Sequence, residues 1–220
     1  MFTGIVQSTG QVNSIKIGDN FKHIEILVPI QFINNLETGA SVANNGVCLT
    51  AVNFAKFDAN TAVIGFDVID ETLRLTNLDA IKENSLINVE RSMKAGDEIG
   101  GHIVSGHIHT MASLVERIDS TDNCQLKFAI KSEWKKYIFA KGFIAVNGAS
   151  LTLGEVETLD NGDCEFLLHL IPETLERTNL SVLTLGDNVN IEIDQQTMTI
   201  VDSIERIMSE RLLTEGSLNV

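Results

Sequence analysis

Long apolar runs are absent from the sequence, and cysteines are few. No apolar stretch approaches the ~20 residues that a membrane-spanning helix needs. The opening residues, Met-Phe-Thr-Gly-Ile-Val, contain neither a basic segment nor a long apolar one, so we expect no secretory signal. The three cysteines, Cys48, Cys124 and Cys164, are widely spaced and odd in number. This pattern argues against a disulfide framework and favours a reducing compartment, so we expect a cytoplasmic protein.

Basic residues are also scarce. The chain has 16 lysines and arginines against 30 aspartates and glutamates, which gives a net charge of −14 at pH 7 with histidine neutral. This excess of negative charge makes nucleic acid or an acidic membrane surface an unfavourable partner. Apolar residues nevertheless make up 44% of the 220 residues. That content is enough to build a core, which excludes disorder as a description of the whole chain.

The chain contains an internal repeat with a constant offset of 102 residues. The residues Asn-Gly-Val-Cys-Leu-Thr at 45–50 return as Asn-Gly-Ala-Ser-Leu-Thr at 147–152. Further blocks return in the same ungapped register: 2–6 at 104–108, 71–73 at 173–175, 76–78 at 178–180 and 88–90 at 190–192. This register predicts two like domains of about a hundred residues each, followed by a short tail. We place the three parts at 1–97, 98–196 and 197–220.

Within each unit, apolar and polar residues alternate as they do in half-buried β-strands. Residues 21–28, 61–68 and 86–90 contain this alternation, and turns rich in Gly, Asn and Asp separate the runs. Each unit has room for about six strands. We therefore predict an all-β fold of two tandem barrels or sandwiches. Two short helices are predicted as well, at 133–141 with Ser132 as the N-cap, and at 173–179 with Pro172 in the first turn.

The tail has helical periodicity instead. Its apolar residues form an i, i+3, i+4 stripe: Val201, Ile204, Ile207, Met208, Leu212 and Leu213. A lone amphipathic helix must bury such a stripe against its own chain or against another copy. We favour self-association because the helix has no counterpart in the repeat.

Cys48 and Ser150 occupy equivalent turns in the two units. A free cysteine is usually a small buried core residue. A Cys/Ser pair, followed at matching positions by Thr50 and Thr152, equally suits polar contacts that line a pocket, and both interpretations stay open. Two like pockets that faced each other would suit a reaction between two copies of one substrate, where orientation supplies much of the rate.

The histidines cluster at His102, His107 and His109. No cysteine or carboxylate with zinc spacing completes a ligand set, so we predict no metal site. A hydrogen-bonding or acid–base histidine fits better, and His107 is preferred because it falls inside a repeated block. Glu192 and Asp194 lie two apart on a predicted strand and are expected to share a face. Such pairs are usually solvated, but one beside a pocket could accept a proton.

The sequence resembles the riboflavin synthases of the α-chain type over its whole length. The matching motifs are Met-Phe-Thr-Gly-Ile-Val at 1–6, Asn-Gly-x-Cys-Leu-Thr at 45–50, Gly-Gly-His at 100–102, Ser-Gly-His at 105–107, Gly-x-Ser-Leu-Thr at 148–152 and Ile-Pro-Glu-Thr-Leu-Glu-Arg-Thr at 171–178. One departure is Asn147-Gly148, where the family usually has Asp-Gly. Asparagine cannot act as a general base, so we assign this pair a turn role.

The resemblance implies two six-stranded Greek-key barrels and a C-terminal helix that joins three chains into a homotrimer. The implied reaction is the dismutation of two molecules of 6,7-dimethyl-8-ribityllumazine to riboflavin and 5-amino-6-(D-ribitylamino)uracil, by transfer of a four-carbon unit. The implied enzyme is a transferase without a metal or organic cofactor, and lumazine synthase is a further possible partner. The alternatives are a non-catalytic, antenna-type protein that binds lumazine or flavin, and a purely structural tandem β protein.

The resemblance also carries candidate site residues over to this chain. Those expected to affect turnover are Phe2, Ser41, Cys48, His107 and Asp194. Those expected to line a pocket in the first barrel are Gly4, Ile5, Val6, Ser41, Cys48, Leu49, Thr50, Asp67, Val68, Ile69, Asp70, Glu71 and Thr72. Those expected to line a pocket in the second barrel are Gly106, His107, Ile108, Lys141, Ser150, Leu151, Thr152, Leu170, Ile171, Pro172, Glu173 and Thr174.

Overall fold

Strands account for most of the regular structure in the computed structural model, which describes residues 1–121 and 123–216. The first unit contains β1 (Ser8–Ile17), β2 (Phe21–Pro29), β3 (Ser41–Asn44), β4 (Val47–Lys56), β5 (Thr61–Ile69), α1 (Asp70–Leu75) and β6 (Leu86–Arg91). The second contains β7 (Thr110–Asp119), β8 (Cys124–Ile130), β9 (Phe143–Val146), β10 (Ala149–Thr152), β11 (Val156–Thr158), β12 (Cys164–Leu170), α2 (Pro172–Arg177) and β13 (Asn188–Ile193). The chain ends with α3 (Gln195–Gly216).

The first unit is a closed six-stranded barrel with the strand order β1-β2-β5-β4-β3-β6. All of its neighbouring strands are antiparallel. Strands β3, β4 and β5 follow one another directly, and β6 returns to lie beside β3, which is a Greek-key connection. The predicted alternation is present on β2, where Ile24, Ile26 and Val28 are buried in the barrel core.

The second unit is a seven-stranded sheet with the order β10-β9-β13-β7-β8-β12-β11. Its two end strands, β10 and β11, together occupy the positions that the single strand β4 occupies in the first unit. Between them the ladder continues, because the N–H of Gly154 donates to the carbonyl of Leu167 at 2.8 Å and the N–H of Leu167 donates to Glu155 at 2.9 Å. The predicted pair of six-stranded barrels is therefore confirmed, with one barrel closed and the other more open.

The two Asn-Gly turns meet where the barrels contact each other. Asn45 and Gly46 have φ values of 46° and 80°, and Asn147 and Gly148 have 45° and 81°. Two successive positive φ angles are typical of a type I′ hairpin turn, so the predicted turn role of Asn147-Gly148 is confirmed. A Cβ atom on Gly46 would lie 2.8 Å from the backbone nitrogen of Gly148, so only glycine allows this approach.

A buried asparagine network joins the barrels around these turns. The backbone N–H of Asn77 donates to the side chain of Asn190 at 2.7 Å, and the N–H of Asn179 donates to Asn88 at 2.6 Å. The side-chain amides of Asn88 and Asn190 in turn donate to the carbonyl groups of the two Asn-Gly turns, at 2.9 Å each. Buried polar groups are costly to leave unpaired, so this network fixes the two barrels relative to each other.

The predicted C-terminal helix is confirmed as α3, and its first turns are attached to the second barrel. Met198 and Val201 pack on the core of that barrel, and the hydroxyl of Tyr137 donates to Asp202 at 2.5 Å. The remaining described stripe residues and their neighbour Ile200 are about half exposed or more: Ile200, Ile204, Ile207 and Met208. The side chains of Leu212 and Leu213 lie outside the described residues. Within residues 1–121 and 123–216, no helix is long and apolar enough to cross a membrane.

The helix predicted at 133–141 is wrong in type and length. The segment Ser132–Tyr137 forms a 3₁₀ helix whose N-cap is Lys131, and no side chain caps it. The helix stops at Tyr137 because the backbone of Ile138 is extended, while the N–H of Ile138 donates to the carbonyl of Lys135. The helix predicted at 173–179 is present as α2, with Pro172 in its first turn as expected, but it ends two residues earlier, at Arg177.

Candidate functional site

The N-terminal segment, residues 1–7, crosses from the first barrel to the second. Phe2 forms an antiparallel bridge with Val104, with N–H to carbonyl distances of 2.7 and 3.0 Å. The carbonyl of Gly4 accepts a hydrogen bond from the backbone N–H of Ser150 at 2.7 Å. Val6 packs in the core of the second barrel. The start of the chain therefore forms part of the second barrel's surface.

The equivalent segment, residues 104–108, makes the opposite crossing. The carbonyl of Gly106 accepts a hydrogen bond from the N–H of Cys48 at 2.8 Å, and Ile108 packs against the core of the first barrel. We call residues 1–7 and 104–108 the crossing segments. Residues 4–6, which the resemblance assigned to the first barrel, thus lie against the second barrel, and residues 106–108, which it assigned to the second, lie against the first.

A cavity of about 250 Å³ lies where the first crossing segment meets the second barrel. We call it the second-barrel pocket, and its lining residues are Gly4, Ile5, Val6, Ala149, Ser150, Leu151, Glu173, Thr174, Arg177 and Thr178. Apolar walls with a few convergent polar groups are typical of sites for small organic molecules. Ala149, Arg177 and Thr178 were missed by the site assignment, although Arg177 and Thr178 stand within the matched motif at 171–178.

The repeat places an equivalent set of residues on the first barrel. The 102-residue offset carries the lining onto Gly106, His107, Ile108, Val47, Cys48, Leu49, Glu71, Thr72, Leu75 and Thr76. We call this set, which the repeat defines, the first-barrel pocket. Cys48 stands there in place of Ser150, and Leu75 in place of Arg177. The two pockets thus share their backbone arrangement but differ in their polar groups.

His102 is the histidine that is hydrogen-bonded at the second-barrel pocket. Its Nδ1 lies 2.6 Å from the hydroxyl oxygen of Ser150, and its ring stacks on Phe143 with centroids 5.3 Å apart. Burial lowers the pKa of His102, and the negative charge of Asp194 partly offsets this effect. The repeat could not reveal this residue, because its counterpart would lie before residue 1.

Similarity to known proteins agrees with this architecture. The family model of the lumazine binding domain matches residues 3–92 and 105–194. The riboflavin synthase of Escherichia coli (strain K12) is 47% identical over 220 residues, which cover 100% of this chain and 97% of that protein. The chain belongs to the riboflavin synthase family.

Other members of the riboflavin synthase family match along almost the whole chain. The riboflavin synthase of Buchnera aphidicola subsp. Baizongia pistaciae (strain Bp) is 40% identical and covers 94% of both chains. That of Chlamydia pneumoniae is 39% identical and covers 95% of this chain and 98% of its own. The chain therefore matches nearly the full length of these relatives.

Solved structures with lower identity share the fold. The crystal structure of LumP complexed with riboflavin has a TM-score of 0.78 at 24% identity. The crystal structure of LumP complexed with 6,7-dimethyl-8-(1'-D-ribityl) lumazine has a TM-score of 0.75 at 23% identity. Both matches cover 89% of this chain and 100% of LumP, so the tandem arrangement of barrels extends to these proteins.

Several family candidates lie together on the outer face of the β3–β4 hairpin. Ser41 is the register partner of Thr50, and Cys48 lies two residues before Thr50 on the same face. Cys48 and Ser41 are half-buried, whereas Thr50 is exposed. On the second barrel, Ser150 is half-buried and Thr152 exposed in the corresponding positions. Half-burial suits a pocket position for both residues, and Cys48 also packs against the buried cluster around Phe2.

Three of the expected lining residues instead have side chains in the barrel cores. Leu49, Val68 and Leu170 are almost fully buried among core residues, so only their backbone is available to a ligand. The other candidates near α1, α2 and β9 are mostly exposed, with Thr72 and Thr174 half-buried: Asp67, Ile69, Asp70, Glu71, Thr72, Lys141, Ile171, Pro172, Glu173 and Thr174. Asp67 is paired with the Nδ1 of His23 at 2.6 Å.

Phe2 is a packing residue, and its buried cluster packs against Cys48 of the first-barrel pocket. Its side chain is fully buried in a small cluster with Ala43, Val104 and Ala145 between the barrels. A Cβ atom on Gly106 would lie 2.9 Å from its ring, so the ring contacts the second crossing segment directly. An effect of Phe2 on turnover must therefore act through the position of the crossing segments.

Asp194 is the N-cap of α3. Its carboxylate accepts hydrogen bonds from the N–H of Thr197 at 2.9 Å and from the Thr197 hydroxyl at 2.8 Å. The expectation that Asp194 shares a strand face with Glu192 was wrong, because β13 ends at Ile193. Among residues 1–121 and 123–216, no group of three or more His, Cys, Asp and Glu side chains is arranged to hold a metal ion.

Replacing Asp194 separates a capping role from a catalytic one. Asp194→Ala should lower the free energy of unfolding by about 1 kcal/mol, since an N-cap side chain is lost. Asp194→Asn keeps an oxygen acceptor for Thr197 and should retain both stability and turnover. Urea unfolding and a lumazine turnover assay on both variants check this. A loss of turnover in Asp194→Asn with unchanged stability would show that the charge itself is needed.

The buried histidine makes stability depend on pH. Because burial lowers the pKa of His102, the unfolded chain binds more protons there between that pKa and the ordinary value. The free energy of unfolding should therefore fall as the pH drops through this window, by at most about 1.4 kcal/mol per pH unit. His102→Gln should remove this part of the fall, as followed by urea unfolding between pH 5 and 7.5. Ser150→Ala is the control, because it leaves the ring buried, and an unchanged slope in His102→Gln would contradict the assignment.

Proposed function

We propose that the chain catalyses the dismutation of two molecules of 6,7-dimethyl-8-ribityllumazine. A four-carbon unit passes from one lumazine to the other, which gives riboflavin and 5-amino-6-(D-ribitylamino)uracil, without a metal or organic cofactor. The observation that carries the proposal is the 47% identity to a riboflavin synthase over the full chain, together with a pocket on the second barrel whose lining residues recur on the first barrel through the internal repeat. A reaction between two identical molecules needs two like sites, and holding both rings in register supplies much of the rate.

The polar groups of the two pockets suit different steps. One lumazine must lose a proton from its C7 methyl group, and a nucleophile such as water must be held at the other molecule. The hydrogen-bonded pair of His102 and Ser150 places a proton-transfer group at the second-barrel pocket. Cys48, Ser41 and His107 are the proposed supporting residues at the first-barrel pocket. The remaining family candidates, from residues 67–72 and 170–174 with Lys141, are proposed as ligand contacts.

The exposed stripe on α3 supports a proposal of assembly. Ile204, Ile207 and Met208 present apolar surface with no cover from the described part of their own chain, and such a stripe suits contact between copies of α3. We propose a homotrimer in which the first barrel of one copy faces the second barrel of another. An Ile204→Glu, Ile207→Glu variant should sediment as a monomer and lose turnover. Arg206→Glu, on the polar face, is the matched control and should keep both.

The state of the cysteines supports a proposed location for the protein. The three cysteines are unpaired, which suits the reducing cytoplasm as the proposed location. A complex with lumazine synthase remains an expectation from the family resemblance.

A turnover assay tests the proposed reaction. The purified protein is mixed with 6,7-dimethyl-8-ribityllumazine alone, and absorbance and chromatography follow both products. We expect one riboflavin and one 5-amino-6-(D-ribitylamino)uracil for every two lumazines consumed, with no loss of rate in a chelator. A bound lumazine with an unchanged spectrum would instead indicate an antenna-type protein. No spectral change at all would contradict both functions.

A further inference from the structure

Two buried carboxylates lie at equivalent positions in the two barrels. Glu90 is on β6 and Glu192 is on β13, and their exposed fractions are 4% and 3%. Among residues 1–121 and 123–216, neither carboxylate forms a salt bridge with a lysine or arginine. Burial raises the pKa of both groups, and hydrogen bonds partly offset the effect. Buried carboxylates are costly unless donors are fixed around them, so the identity of those donors is informative.

In the described part of the chain, the hydrogen-bond donors to Glu90 come from the first crossing segment. Its Oε1 accepts hydrogen bonds from the backbone N–H and the hydroxyl of Thr3, at 2.7 Å each. The hydroxyl oxygen of Thr3 in turn accepts a hydrogen bond from the N–H of Ile5 at 3.3 Å. Ile5 lines the second-barrel pocket. A chain of hydrogen bonds thus links a carboxylate of the first barrel to the wall of the pocket on the second.

The same arrangement recurs in reverse at Glu192. Its Oε1 accepts hydrogen bonds from the N–H of Ser105 at 2.6 Å and from the Ser105 hydroxyl at 2.8 Å, and its Oε2 accepts one from the N–H of Gly106 at 2.9 Å. The hydroxyl oxygen of Ser105 accepts a hydrogen bond from the N–H of His107 at 3.2 Å. Gly106 and His107 belong to the first-barrel pocket. A carboxylate of the second barrel therefore holds the wall of the pocket on the first.

We propose that Glu90 and Glu192 are positioning residues, each of which shapes the ligand pocket of the opposite barrel. This inference rests on the proposed function only in taking the two pockets as ligand sites. Hydrogen bonds to carboxylates are strong and directional, so each one fixes its crossing segment to within the tolerance that a ligand contact needs. Loss of either carboxylate should leave the pocket of its own barrel intact and disorganise the other.

Thiol protection can measure the two pockets separately. In the unaltered protein, Cys48 is the half-buried cysteine, whereas Cys124 and Cys164 are buried and their thiol pKa values are raised by burial. The rate at which iodoacetamide alkylates Cys48, with increasing riboflavin present, therefore gives the affinity of the first-barrel pocket. A Cys48→Ser, Ser150→Cys protein exchanges the reporter into the second-barrel pocket with the residue types that the repeat itself uses.

The proposal predicts a crossed pattern of affinity. Glu192→Ala should lower the riboflavin affinity measured with Cys48 by about tenfold or more, and should change the affinity measured with a cysteine at position 150 less than twofold. Glu90→Ala should have the opposite pattern. Glu90→Gln should restore most of the loss, because both bonds from Thr3 go to one oxygen that the amide retains. Glu192→Gln should restore less, because its second oxygen also accepts a bond.

Further variants keep the test decisive if an alanine variant does not fold. Thr3→Val and Ser105→Ala remove the hydroxyl from the crossing segment and leave each carboxylate in place. Thr3→Val should weaken binding as Glu90→Ala does, and Ser105→Ala should weaken it as Glu192→Ala does. The proposal would be overturned if a folded glutamate variant lost riboflavin affinity at the pocket of its own barrel, or lost it equally at both pockets. Turnover by the unaltered enzyme would still support the proposed function in that case. Absence of any protection in the unaltered protein would contradict both.

Discussion

Replacing Gly148 with alanine should lower the free energy of unfolding by about 2–5 kcal/mol. About 1–2 kcal/mol comes from forcing a side chain into the left-handed region, since φ is 81°. About 1–3 kcal/mol more comes from overpacking, because the new Cβ would lie 2.7 Å from the backbone nitrogen of Gly46 and 2.9 Å from its Cα. Neither atom can move aside without separating the two barrels. Urea unfolding followed by circular dichroism measures the loss.

Gly39→Ala is the matched control for this prediction. Gly39 has a φ of 93°, but nothing lies within 4 Å of a Cβ built on it. This substitution should therefore show the conformational cost alone, about 1–2 kcal/mol. Equal losses in the two variants would contradict the close approach of the Asn-Gly turns.

Phe2→Ala should reduce both stability and turnover. Removal of a fully buried phenylalanine leaves a cavity and costs about 3–5 kcal/mol in typical cores. The ring belongs to the first crossing segment and packs against the second, so its loss should let the walls of both pockets shift. A displacement of about 1 Å can cost about a hundredfold in rate, so we expect at least this loss in turnover.

A surface phenylalanine provides the comparison for Phe2. Phe57 lies just after β4 and is 55% exposed, so Phe57→Ala should change stability by less than about 0.5 kcal/mol and leave turnover intact. Turnover is measured at a temperature where Phe2→Ala is still folded, as judged by its unfolding curve. Full turnover by folded Phe2→Ala would show that the ring does not position the crossing segments.

The fold was predictable to a large extent because its signals are local or repeated. Strand alternation, turn residues and the 102-residue offset predicted two like β-domains, either barrels or sandwiches, and the apolar stripe predicted α3. The family resemblance implied that both domains are barrels. The alternation of apolar and polar residues on β4 also indicates which side chains point into the barrel and which point outward. Val47 and Leu49 point into the core and Cys48 and Thr50 point outward, as a period of two requires, so Leu49 could have been assigned to the core from sequence.

The crossing of the two segments could not be predicted from the same signals. The repeat makes Gly4 equivalent to Gly106 and Cys48 equivalent to Ser150, and this equivalence is satisfied whether each segment lies on its own barrel or on the other. The hydrogen bonds from Ser150 to Gly4 and from Cys48 to Gly106 in three dimensions decide between them. The asparagine network was hidden for the same reason, since its members were visible as repeated residues while their partners lie in the opposite barrel.

A crystal structure of the protein with a non-reactive lumazine analogue tests the central claim most directly. We expect two kinds of occupied site per chain. One analogue should contact Ile5 and Ser150 on the second barrel, and the other should contact His107 and Cys48 on the first. An analogue bound away from both crossing segments, for example in the wide cleft beside Asn77 and Asn188, would contradict the claim that these segments build the two pockets.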